Sequence, residues 1–158
     1  MKSYPKIDTL FDRDENFKVT NVFKNKYINM LKDIDWVCTE KIDGTNTRVI
    51  WNGDGTYEIK GRNDTADIDK RLLTNLSKMM ENRIHLFTEV FGDTPVCLYG
   101  EGYGGRIQGN KFKYQSHEKF ICFDILIGDK YVDFDTLLNL CKTNCQNTIL
   151  IFPHRTCH

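Results

Sequence analysis

Neither charge dominates this sequence: 22 lysines and arginines balance 22 aspartates and glutamates. A balanced chain lacks the uniformly positive field of a histone-like or wholly basic nucleic-acid binder, although a local basic groove is compatible with it. Long apolar runs are missing as well. No stretch reaches the ~20 residues that a membrane-spanning helix needs. The opening Met1-Lys2-Ser3-Tyr4-Pro5-Lys6 has no apolar segment of the kind a secretory signal requires. There is no internal repeat, low-complexity tract or linker. Also absent is a glycine-rich loop joining a strand to a helix, the usual phosphate cradle. Gly100, Gly102, Gly104, Gly105 and Gly109 follow a strand-like run but lead into a polar loop.

What is present is a chain of 158 residues, 40% hydrophobic and 12% aromatic, which suffices for one domain with its own core. Of six cysteines, Cys38, Cys97 and Cys122 lie in runs that read as buried strands, while Cys141, Cys145 and Cys157 follow later. That distribution suits reduced, core-packed thiols of a cytosolic protein better than a disulfide framework. The spacing predicts a weak helix over 22–33, a strand over 36–41, and a hairpin of 47–51 with 56–60 around Asn52-Gly53-Asp54-Gly55. Apolar residues at helical spacing follow over 68–91, as one long or two short helices. Strands at 96–100, 119–127 and 130–132 come next, then a helix over 134–142 capped by Asp135. Hairpins outnumber strand–helix–strand crossovers, so the expected class is α+β with antiparallel sheets.

Four places in this frame carry chemistry. Glu40-Lys41-Ile42-Asp43-Gly44-Thr45-Asn46 sets a lysine between a strand-like run and a glycine turn. Burial near other cations disfavours an ammonium, which is what a nucleophilic lysine requires. Asp43, two residues on, shares a side of an extended chain with Lys41 and is placed to orient its amine. Taken alone, the heptapeptide reads equally well as a solvated lysine ahead of a turn. Arg62 is one hairpin away and its planar guanidinium suits phosphate, although an isolated arginine is ordinarily a surface residue. Glu101, among the glycines of Tyr99-Gly100-Glu101-Gly102-Tyr103-Gly104-Gly105-Arg106-Ile107-Gln108, suits a ribose hydroxyl or a metal; the alternative is a loop carboxylate facing water. In Phe120-Ile121-Cys122-Phe123-Asp124-Ile125-Leu126, Phe123 is either core or a plane for stacking a base. Asp124 in so apolar a run needs a partner.

In this order and at these separations, Trp36-Val37 with Glu40 to Asn46, Arg62, Tyr99-Gly100-Glu101 with Ile107-Gln108, and Phe123-Asp124-Ile125 resemble the covalent nucleotidyltransferase superfamily of ATP-dependent ligases and capping enzymes. The match over residues 34–134 is nearest to the RNA ligase 2 family of phages, which seals nicks in duplex RNA. The resemblance implies a nucleotidyltransferase (adenylation-domain) fold, with antiparallel sheets flanking an ATP cleft. It implies ATP and Mg2+ or Mn2+, with Lys41 attacking the α-phosphorus, pyrophosphate leaving, and AMP passing to a 5′-phosphate end that a 3′-hydroxyl then seals. It places the backbone of Glu40 at the adenine, Phe123 stacked on that base, Glu101 on the ribose, and Asn46 and Arg62 near the phosphates or the nick. Asp43 and Asp124 are supporting residues. The implied partner is RNA, or DNA, with nicks or ends, and the setting is cytoplasmic, without a membrane (the host cytoplasm if phage-encoded).

Two motifs of that family are not recognisable here: the acidic metal-holding segment and the KxK strand whose lysines contact the nucleotide phosphates. Residues 1–158 are therefore expected to be a single, incomplete adenylyltransferase domain, from a truncated or frameshifted gene or from a split protein whose second polypeptide supplies the rest. Loss of one preorganised electrostatic contact costs about two to three orders of magnitude in rate. Weak or no autonomous adenylylation is the expectation, with exposed sheet edges as a further liability. The competing reading is a non-catalytic nucleotide- or nucleic-acid-binding module; a capping-type guanylyltransferase is disfavoured by the segment from Tyr99 to Gln108. Cys141, Cys145, His154 and His158 resemble a zinc set, but too few residues separate the pairs, so accidental composition is preferred.

Overall fold

The computed structural model describes residues 2–109, 113–144, 149–150 and 155–157. Cys145, His154 and His158 of the cysteine–histidine tail lie outside them. Chain contacts divide into two compact units, Tyr4–Thr39 with His154–His158, and Met1–Ser3 with Glu40–Pro153.

In the smaller unit, β1 (Phe11–Arg13) pairs antiparallel with β2 (Val19–Phe23), and the rings of Phe11 and Phe23 stack with centroids 5.1 Å apart. Helix α1 (Lys26–Met30) starts where the Asn25 side chain accepts from the backbone N–H groups of Tyr27 and Ile28. The helix expected over 22–33 is thus shorter, because Val22 and Phe23 belong to the hairpin and the Asn25 cap sets the first helical residue at Lys26. Strand β3 (Trp36–Cys38) ends before Glu40, so Lys41 stands on irregular backbone rather than on the strand predicted over 36–41.

The larger unit is built on β4 (Thr45–Trp51), β5 (Tyr57–Gly61), α2 (Lys70–Glu81), α3 (Ile84–Phe91), β6 (Val96–Gly104), β7 (Glu118–Ile127), β8 (Lys130–Tyr131), α4 (Phe134–Asn144) and β9 (Ile149–Leu150). The strands form one sheet in the order β5-β4-β6-β7-β8, antiparallel throughout, with β9 added parallel to β7. A last short strand, β10 (Arg155–Cys157), pairs antiparallel with β3 in the smaller unit. The Gly53 and Gly55 turn residues have φ of 85° and 86°, which is why the predicted hairpin carries glycine there.

Strand alternation sends Val49, Trp51, Val96, Leu98, Phe120, Cys122 and Ile125 to one face. There they bury against Leu72, Leu76, Met79 and Met80 of α2, Phe87 of α3, and Leu137 and Cys141 of α4. The Trp51 ring meets that of Phe87 at 5.9 Å, and its indole N–H donates to the Gly92 carbonyl at 3.1 Å. Gly100 and Gly102 lie on this face because a Cβ at either would collide with the Phe120 ring or the Leu72 side chain. The two-helix option for 68–91 is the one realised. At α4 the capping side chain is Asp133, which accepts from Thr136 N–H at 2.8 Å; Asp135 lies inside the first turn instead. Cys97, Cys122 and Cys141 are buried free thiols.

Candidate active site

The opposite face of the sheet carries the predicted residues. In the β4–β6 ladder Asn46 is the direct partner of Glu101, so their side chains stand side by side on one face. Thr47 pairs with Gly61 in the β4–β5 ladder, which puts Arg62, exposed, one position past the end of β5 and level with Asn46. On the other flank Tyr99 pairs with Asp124 and Gly100 with Cys122, and Phe123 is the extra residue of a β-bulge between them. A bulge re-aims a side chain and locally breaks the alternation. Phe123 and Asp124 are accordingly half-buried, not core, and the Asp124 carboxylate accepts from Ile125 N–H at 2.9 Å. Phe123 thus lies outside the helical core.

Lys41 and Glu40 are exposed, so the burial expected for the lysine is not what this chain provides. The turn that bears it is nevertheless tightly held. Ile42 is buried with Tyr103 and Ile121, and half-buried Tyr114 packs against them. The Gly44 N–H lies beside the Glu101 carboxylate and lowers its pKa, and the Gly44 carbonyl accepts from the Gln108 amide at 2.9 Å. Gly44 itself is required because a Cβ there would strike the Gly102 carbonyl and approach the Glu101 side chain to 2.9 Å. Asp43 N–H donates to the Tyr114 hydroxyl at 3.2 Å. Burial raises the Glu101 pKa above its ordinary value; the Lys41 charge and the Gly44 N–H oppose that rise, while the Asp43 charge adds to it. Lys41, Asp43 and Glu101 therefore share one electrostatic neighbourhood.

Among the described residues the Asn46 Oδ1 atom is buried without a hydrogen-bond partner. An unsatisfied buried acceptor beside a half-buried carboxylate awaits a donor or a cation. The paired Asn46 and Glu101 are hard oxygen donors of the kind Mg2+ or Mn2+ takes, although among the described residues no group of three or more Asp, Glu, His or Cys side chains is placed to hold a metal ion. Next along the same face, buried Arg48 donates to the Gly61 carbonyl at 2.9 Å and to Asp64 Oδ1 at 2.8 Å, which braces the end of β5 immediately before Arg62.

The family model for RNA ligase matches residues 34–156. The chain belongs to the RNA ligase family. Solved structures agree with the family assignment. A mutant of the Naegleria gruberi RNA ligase with ATP and Mn is similar at a TM-score of 0.66 and 19% identity, over 96% of this chain and 44% of that one. Another mutant of the same organism's ligase, with AMP and Mn, aligns at 0.62 and 25% identity over 82% of this chain and 39% of that one. Its complex with PPi gives 0.60 and 22%, over 96% and 48%. The RNA ligase chain described here thus spans less than half the length of these relatives. No curated protein sequence matches it.

Of the motif residues, Lys41 and Asp43 lie in the electrostatic neighbourhood of Glu101 and Asn46 pairs with it; Phe123 and Asp124 lie at the bulge of β7, Asp124 opposite Tyr99, and Arg62 lies level with Asn46 at the strand end. Sequence reasoning assigned no role to Tyr114 or Arg48 and left Gln108 as part of a pattern only. Nothing marks a tyrosine in a polar loop as a turn partner until the fold brings it across.

Proposed function

We propose that this chain forms the nucleotide-binding, AMP-accepting part of an ATP-dependent RNA ligase. The observation that carries the reading is the joining of the Lys41 turn to Glu101, with the orphaned Asn46 Oδ1 beside them. In the proposed reaction the Lys41 amine, once deprotonated, attacks the α-phosphorus of ATP. A nitrogen–phosphorus bond forms as the bond to the pyrophosphate oxygen breaks, and pyrophosphate departs. Glu101 accepts a hydroxyl of the ribose, Phe123 supplies a face for the adenine, and Arg62 meets phosphate with its planar fork. Asn46 and Glu101 are the residues that would meet a divalent ion, which when bound offsets charge on the phosphates. The AMP then passes to a 5′-phosphate of RNA, and a 3′-hydroxyl displaces it to seal the strand; DNA ends are the alternative substrate.

The test is mass spectrometry of the protein after prolonged incubation with ATP and Mn2+. The expected result is a slowly accumulating AMP adduct confined to the peptide containing Lys41 and absent from Lys41→Ala. GTP should give none. ATP bound reversibly without any adduct would instead identify a non-catalytic nucleotide-binding module, and an adduct on a different residue would refute the assignment of the nucleophile.

A further inference from the structure

Two side chains hydrogen-bond the backbone of the turn that comes after Lys41: Gln108 donates to the Gly44 carbonyl and the Tyr114 hydroxyl accepts the Asp43 N–H, while the Gly44 N–H lies beside the Glu101 carboxylate and lowers its pKa. Glu101 and Gln108 belong to the pattern that led to the family; Tyr114, 71 residues from Asp43 in the chain, does not. We propose that Tyr114 is a positioning residue for Lys41. Its hydroxyl fixes the Asp43 amide and thereby the direction from which the amine meets the nucleotide. The inference rests on Lys41 being the AMP acceptor.

The Tyr114 ring is itself held. It meets the Tyr103 ring edge-on, with centroids 5.8 Å apart and planes at 84°, and Tyr103 is buried against Ile42 and Ile121. One small cluster therefore grips the residue after Lys41 by its side chain and the next residue by its amide, while the side chains of Lys41 and Asp43 stay exposed. The two arms that bring Tyr103 and Tyr114 together are joined at their base, where the Gly105 N–H donates to the Gln115 carbonyl at 3.0 Å. Gly104 and Gly105, at φ of 83° and 54°, allow that reversal; a side chain at Gly104 would collide with the His117 carbonyl or the Gln115 Cβ, and one at Gly105 with Glu118. Lys113 Nζ lies 5.4 Å from the Tyr114 ring centroid. Each of these contacts restrains the ring, so the hydroxyl points at Asp43 through packing and not by chance of an open surface.

The substitution Tyr114→Phe keeps the ring and removes only the hydroxyl. Amide exchange of Asp43, followed by NMR, should quicken about tenfold, the loss of one hydrogen bond, while the sheet amides of Val49 and Leu98 are unchanged. The rate constant for AMP transfer to Lys41 should fall about tenfold, with the half-saturating ATP concentration unaltered, because orientation and not binding is lost. Unchanged exchange at Asp43 overturns the inference, and so does faster exchange with an undiminished transfer rate. If the unsubstituted protein takes up no AMP on Lys41, the proposed ligase function fails, and the Asp43 exchange alone decides whether Tyr114 holds the turn.

Discussion

Glu101 shows how one residue serves two masters. Its carboxylate is half-buried beside the turn after Lys41, and the burial that readies it for the proposed ribose contact also penalises its charge. Its folded pKa lies above the ordinary 4.5, so the folded chain binds the proton more tightly than the unfolded one. This residue therefore favours folding below the unfolded value, and that contribution is lost as pH rises through the folded one. Glu101→Gln, which keeps an acceptor for the Gly44 N–H, should raise the thermal midpoint at pH 7, and the gain should vanish as pH falls below 4.5. Thermal unfolding at several pH values checks this; a lower midpoint at pH 7 would mean that the Lys41 attraction outweighs the desolvation. At this scale Lys41, Asp43, Asn46 and Glu101 were singled out in the sequence by the family motifs, and the fold sets Lys41 and Asp43 in the electrostatic neighbourhood of Glu101 and pairs Asn46 with it. Tyr114 and Arg48 were not, since each acts across a gap of sequence that only pairing closes.

At the scale of elements, β6 is the pivot of the site. Its odd positions carry Tyr99, Glu101 and Tyr103 to the site face, and its even positions end in Gly100 and Gly102, which let the sheet approach Phe120 and α2. Gly102→Ala should destabilise the fold by about 1–3 kcal/mol in urea unfolding, the usual range for overpacking, because the new methyl meets the Leu72 side chain. A loss below about 0.5 kcal/mol would show that Leu72 moves aside. The β4–β5 hairpin, the helices over 68–91 and strands β6 to β8 were readable from turn residues and period. The length of α1 was not, because β-branched and aromatic residues at 19–23 were drawn into a hairpin. Nor was the bulge at Phe123, since an inserted residue leaves no trace in composition. The bulge reconciles the two readings of that phenylalanine: its neighbours Cys122 and Ile125 are core, and it is not.

At the scale of the molecule, the sheet of the larger unit has two unlike faces. One is sealed by α2, α3 and α4 over a continuous apolar core. The other carries Asn46 and half-buried Glu101 beside the small cluster of Ile42, Tyr103 and Ile121, and lower down it is closed where the Tyr99 hydroxyl donates to the Lys2 carbonyl at 2.8 Å and its ring meets Tyr131 at 5.9 Å. The α+β class was legible from the run of hairpins, and the family assignment covers residues 34–156. Among the described residues no helix is long and apolar enough to cross a membrane. The central claim is that the end of this face bearing Asn46 and Glu101 is a nucleotide site. The measurement that tests it most directly is an amide NMR titration with ATP and Mg2+, which reports binding whether or not chemistry ensues. The largest shifts are expected on residues 41–46, on Glu101 and Phe123, and on the Asn46 side-chain amide. Shifts confined to α2 and α3, or none at saturating ATP, would contradict it.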